Sequence, residues 1–196
     1  MIANDDPRLR LVAITDDLRD GVDGLVTRAR SAEHGGATML LLRLKQAEAH
    51  VLVEVGRALI AALQIPILVS ERLDVALAIG AAGVHLNAAS VPVIAVRPHV
   101  AASFLIGGSI SEAGDVESTV SADFVTIGPV FGAGATSMGV EGFRRLALAS
   151  GRPAIAVGGI DAESARSVRM AGAAGVAVIR SVLGAVDPQS AAAQLV

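Results

Sequence analysis

Eight short apolar runs punctuate the chain, and none of them alternates with polar residues. They are Leu9–Thr15, Thr38–Leu44, Pro66–Ser70, Gly83–Asn87, Phe104–Ser109, Phe124–Gly128, Pro153–Gly158 and Gly175–Arg180. A strand with one wet face alternates, whereas a strand covered on both faces reads as a continuous hydrophobic stretch. The intervals carry a different period. Leu25, Ala29 and Ala32 recur at helical spacing before Gly35-Gly36, and Val51, Val55, Leu59 and Leu63 do so before Ile65-Pro66. Ala165, Val168 and Ala171 repeat the pattern before Gly172. Glycines at Gly35-Gly36, Gly80 and Gly172 stand where a helix hands over to the next strand, the position of a left-handed cap. The spacing of about 25 residues from strand to strand is that of a compact strand–helix unit, and the pattern predicts eight such units.

Eight buried strands, each followed by a helix, predict an α/β fold: a (βα)8 TIM barrel forming one compact domain over residues 1–196. The alternative is an open doubly wound sheet, which usually has fewer strands and a glycine-rich first loop. Here the first loop reads Thr15-Asp16-Asp17. Composition agrees with the barrel: hydrophobic residues make up 53% but aromatics only 2%, so Ala, Val, Ile and Leu must fill the core.

The formal charge is −3, with 16 basic and 19 acidic residues and neither a basic block nor an aromatic stacking set. Nucleic acid is therefore not an expected partner. With zero cysteines, disulfides and thiolate metal sites are excluded. No apolar run is long enough to span a membrane, and the first residues are acidic. The expectation is a cytoplasmic protein.

In such a barrel, chemistry gathers at the C-terminal ends of the strands, and phosphate commonly sits on the loops after the last two. Those loops read Gly158-Gly159-Ile160 and Ile179-Arg180-Ser181. Glycines that admit close approach, beside free N–H groups where each run opens into a helix, suit a phosphate. Arg43 and Lys45 lie two apart, which on a strand places both on one face, toward an anion or toward a carboxylate such as Glu71. Asp16 and Asp17 read as helix N-caps. His85 reads as a structural hydrogen-bonding group at a strand end, and His34, His50 and His99 form no metal cluster with it.

The ordered series of motifs resembles the thiamine-phosphate synthase superfamily, which includes the thiazole tautomerases. Leu11-Val12-Ala13-Ile14-Thr15-Asp16 resembles its first strand, Leu41-Leu42-Arg43-Leu44-Lys45 its Gln-Leu-Arg-x-Lys segment, and Ser70-Glu71-Arg72 its Asn-Asp-Arg. Gly83-Val84-His85-Leu86, Gly107-Gly108-Ser109 and Ala122-Asp123-Phe124 through Gly128-Pro129-Val130-Phe131 follow in the family's order. Ala156-Val157-Gly158-Gly159-Ile160 and Val176-Ala177-Val178-Ile179 match best.

The resemblance implies an enzyme of thiamine biosynthesis that joins a hydroxymethylpyrimidine pyrophosphate to a thiazole phosphate, with Mg2+ as cofactor. It implies that Arg43 and Lys45 clamp the pyrophosphate and that Ser109 hydrogen-bonds it. Gly158, Gly159, Ile179 and Arg180 would hold the thiazole phosphate. Glu71 stands where the family has its first metal-binding aspartate, Ser90 at the second, Ser70 at the preceding asparagine and Leu41 at the pyrimidine-contacting glutamine. Gly132 through Ser137 replaces a Thr-x-Thr-Lys segment, leaving Thr136 or Ser137 as the stand-in. Pro129 occupies the place of the tautomerase histidine. Two other readings stand beside the synthase: a divergent tautomerase-like enzyme with Glu71 or His85 as proton carrier, and a non-catalytic phosphate-ligand binding or regulatory protein. A homo-oligomer is expected by analogy.

Overall fold

The computed structural model describes residues 2–132 and 137–196. The eight runs become β1 Leu11–Ile14, β2 Met39–Leu42, β3 Ile67–Ser70, β4 Gly83–Leu86, β5 Leu105–Ile110, β6 Phe124–Ile127, β7 Ala154–Val157 and β8 Gly175–Val178. Each pairs in parallel with the next, and β8 returns to β1, which closes the sheet on itself. The helices are α1 Gly21–His34, α2 Ala49–Ala62, α3 Leu73–Ile79, α4 Val93–Val96, α5 Gly139–Ser150, α6 Ala162–Met170, α7 Arg180–Leu183 and α8 Pro188–Ala193.

Every strand feeds two cores, which is why its sequence does not alternate. Val12, Ile14, Met39, Leu41, Leu68, Leu105, Phe124, Ile155 and Ala177 fill the barrel interior. Their strand neighbours, such as Leu11, Leu40, Val69, Val84, Ile106, Val125 and Val176, pack outward under the helices, with Leu25, Leu59, Phe143 and Val168. Gly80 takes the left-handed conformation (φ 68°) as it ends α3, the role its place in the sequence predicts.

Three expectations change. The connection from β5 to β6, residues 111–123, contains two 3-10 turns, Ala113–Asp115 and Glu117–Thr119, where an α-helix was expected. Its side chains hold the backbone in turns: the Asp115 carboxylate accepts from Ser111 and Glu112 N–H, and the Ser118 and Thr119 hydroxyls donate to carbonyls three residues back. In α2 the buried stripe runs through Leu52, Val55 and Leu59, so Val51 is half-buried and Leu63 lies past the helix end. Finally, Asp16 and Asp17 are not caps; α1 begins after Asp20.

Candidate active site

Arg43 leaves the end of β2 and is fixed by a threonine one strand away. The fully buried Thr15 hydroxyl accepts from the Arg43 N–H at 2.7 Å and donates to the Arg43 carbonyl at 3.1 Å. The guanidinium faces the Asp16 carboxylate at 4.0 Å. Lys45 follows in the same loop, exposed and, among the described residues, without an ion pair. Both residues thus lie beyond the strand rather than on one face of it, because β2 ends at Leu42. The loop still brings them together: Arg43, Lys45, Ser70 and Glu71 line one cavity of about 430 Å³. Glu71 is not their ion-pair partner.

Ser70 ends β3, and its hydroxyl has no partner among the described residues. Glu71 then turns into the left-handed region (φ 65°), a conformation that costs a non-glycine residue and tends to mark a functional loop. Its N–H donates to the His85 carbonyl at 2.8 Å, and its carboxylate stands exposed. Arg72 is engaged by Asp74 at 2.6 Å, and that hydrogen bond holds the Asp74 carboxyl down at about 2. Ser109, half-buried, comes from β5; its inward direction follows from its neighbours Gly108 and Ile110, which face the outer core. Its hydroxyl has no partner among the described residues.

On the other side of β1, the loops after β7 and β8 form a second cavity of about 250 Å³, lined by Gly158, Gly159, Ile179, Arg180 and Ser181. Gly158 (φ 94°) and Gly159 (φ 66°) both need the freedom of glycine. A side chain at Gly158 would come within 2.7 Å of Pro129, and one at Gly159 would strike the Phe131 carbonyl. The Gly159 and Ile160 N–H groups donate to nothing among the described residues. The Ser181 hydroxyl donates to the Ile160 carbonyl at 2.9 Å, tying the two loops into one cradle. At the start of α6 the Asp161 and Ser164 side chains take up each other's N–H, which removes those two amides from the cradle. Thr136 lies outside the described residues.

His85 is buried. Burial, with the Arg43 charge adding to it, pushes its pKa from 6.5 down to about 4. The ring is therefore neutral at neutral pH, and Nε2 lies 3.0 Å from the Thr126 hydroxyl. The hydrogen bond to Thr126 is the kind of structural contact expected of a histidine at a strand end. Ser90 does not replace a metal-binding carboxylate, because its hydroxyl is taken up by Asn87 at 3.0 Å. Among the described residues no group of three His, Asp or Glu side chains could by itself hold a metal ion. Leu41 points into the barrel core, so the floor beside Ser70 is apolar. Sequence reasoning missed Thr15 and Thr126 as supports; Thr126 is a lone polar residue inside an apolar run and Thr15 closes one, and that was the available signal.

The closed eight-stranded βα barrel carries an arginine- and lysine-lined cavity and a glycine-loop cavity on one rim, the end at which barrels of this class place their chemistry. The sequence profile described as thiamine monophosphate synthase matches residues 11–182, and the chain belongs to that family. It is 34% identical to the thiamine-phosphate synthase of Albidiferax ferrireducens, over 95% of this chain and 90% of that one. To the thiamine-phosphate synthase of Moorella thermoacetica it is 36% identical, over 85% and 84%. Among solved structures, thiamine phosphate pyrophosphorylase from Pyrococcus furiosus superposes with a TM-score of 0.84 at 34% identity, covering 96% of this chain and 94% of that chain. 3-Hexulose-6-phosphate synthase, at 19% identity and a TM-score of 0.72, shares the fold. Among the described residues no helix is long and apolar enough to cross a membrane.

Proposed function

We propose that this chain is a thiamine-phosphate synthase, joining hydroxymethylpyrimidine pyrophosphate to a thiazole phosphate. The observation that carries the reading is the pair of separate anion-fitting cavities on one rim, in a chain of this family. In the reaction the bond from the pyrimidine methylene carbon to the pyrophosphate oxygen breaks, and its electron pair leaves with pyrophosphate. The thiazole nitrogen lone pair forms the new carbon–nitrogen bond. No proton need move, so the site has to neutralise a leaving group and align two rings.

Arg43 and Lys45 supply positive charge to the departing pyrophosphate, and Ser70 and Ser109 offer free hydroxyls beside it. The glycine loop and the start of α7 hold the thiazole phosphate, with Arg180 at its edge. Glu71, an exposed carboxylate in the same cavity as Arg43 and Lys45, would hold Mg2+, since magnesium is commonly held by one or two carboxylates plus phosphate and water. Bound there, it would add charge neutralisation to that of the two cations.

Incubating the chain with both substrates and Mg2+ and quantifying thiamine phosphate and pyrophosphate tests the proposal. Stoichiometric formation of both is the expected result. Binding of each ligand in calorimetric titration without any turnover would overturn the synthase reading and leave a phosphate-ligand binding protein.

A further inference from the structure

Four polar residues lie buried among the described residues, Thr15, His85, Thr119 and Thr126, and two of them bond only to each other across the barrel. His85 sits on β4 and Thr126 on β6, with β5 between. The reach is possible because the intervening inward position, in register with His85, is Gly107. A Cβ there would come within 2.6 Å of both the His85 ring and Phe124. The barrel interior around the pair is otherwise apolar, with Leu41, Leu68, Phe124 and Ile155 among its residues. Apolar side chains would fill the space without a polar group to satisfy. The pair occupies the layer directly beneath the candidate site. Thr126 stands in register with Ser109, and the His85 carbonyl holds the Glu71 N–H.

We propose that His85 is a positioning residue, whose bond to Thr126 through the gap at Gly107 sets the relative placement of Glu71 and Ser109. Resting on the proposed synthase reaction, the inference concerns the pyrophosphate side alone. The hydroxyl of Thr126 can donate to or accept from the ring, so the tie holds in either imidazole tautomer. Anchored at β4 and β6, the ring fixes the two rim positions on either side of the leaving group. The phosphate cradle on β7 and β8 shares none of these contacts.

The test compares Thr126→Val, Thr126→Ser and Gly107→Ala with the wild type. Thr126→Val removes the tie at constant volume, Thr126→Ser keeps it while losing a core methyl group, and Gly107→Ala wedges the ring away. Melting temperature is followed alongside kinetics, and calorimetric titrations use inorganic pyrophosphate and thiazole phosphate as probes. Thr126→Val and Gly107→Ala are expected to lower kcat about tenfold or more and to weaken pyrophosphate binding similarly. Thiazole phosphate affinity should stay within about twofold. Thr126→Ser should recover near wild-type values despite its lost methyl. Equal losses for both ligands, or a Thr126→Ser variant as impaired as Thr126→Val, would make the pair merely structural and overturn the inference. If the wild type makes no thiamine phosphate, the functional proposal fails separately, and the positioning inference is decided by the pyrophosphate titrations. If a variant fails to fold, the remaining two decide the same question.

Discussion

Replacing Thr15 by valine should separate the support of Arg43 from the packing around it. The threonine hydroxyl is completely buried and serves both backbone groups of Arg43, at 2.7 Å and 3.1 Å. Valine has nearly the same shape, so no cavity forms, but one N–H and one carbonyl lose their partner. A net hydrogen bond contributes about 1 kcal/mol and an unsatisfied buried group costs about 1–3. Because Arg43 is only half-buried, water recovers part of the loss, and about 2–3 kcal/mol remains. For a chain of this size that lowers Tm by roughly 4–12 °C. Thr15→Ser keeps the hydroxyl and loses a methyl group, which costs about 1 kcal/mol. The chain has neither Trp nor Tyr, so unfolding in urea is best followed by far-UV circular dichroism. Thr15→Val should be the less stable of the two and should bind pyrophosphate about tenfold more weakly, with Thr15→Ser near wild type. If the valine variant equals or exceeds the serine variant in stability, the hydroxyl is not what holds Arg43.

Gly159→Ala forces a side chain into the left-handed region and onto the Phe131 carbonyl, so it should cost roughly 2–3 kcal/mol. It should also weaken thiazole phosphate binding at least tenfold in calorimetric titration; unaltered affinity would place the phosphate elsewhere. Arg180→Ser should reduce the affinity for thiazole phosphate severalfold by removing a cation from the cradle, and an unchanged constant would show that the arginine faces solvent. Acid should destabilise the fold through His85, whose folded pKa of about 4 lies below its ordinary 6.5. The unfolded chain takes up this proton first as pH falls, so the contribution is complete above pH 6.5 and gone below pH 4. It amounts to about 3 kcal/mol. Urea unfolding from pH 7 to pH 4 should show that much less loss in His85→Gln, and parallel pH profiles would refute it.

The barrel was legible because its strands are buried on both faces, and continuous apolar runs such as Ala154–Val157 mark that environment directly. The crossover at residues 111–123 was not, since its turns are held by side-chain hydrogen bonds of Asp115, Ser118 and Thr119 rather than by apolar period. Arg43, Lys45, Ser70, Glu71 and the glycine loop could be read because charge or glycine at the end of an apolar run is conspicuous. Their supports could not. The ties from Thr15 to Arg43 and from His85 to Thr126 join residues 28 and 41 positions apart, and only the closed sheet brings them together. The reciprocal cap of α6 is visible in Asp161-Ala162-Glu163-Ser164, where a short polar side chain stands three residues from another just before an apolar period.

The two cavities lie on strand pairs, β2 with β3 and β7 with β8, that never hydrogen-bond to one another; β1 separates them on one side and β4 through β6 on the other. Substitutions at one therefore need not shift the strand ends that carry the other, the Asp16 carboxylate beside Arg43 being the group nearest to both. The barrel is in effect two half-sites open to independent evolution, and a lineage could retune its diphosphate partner at Leu41 or Ser90 while the Gly158-Gly159 cradle went on selecting the same phosphate ester.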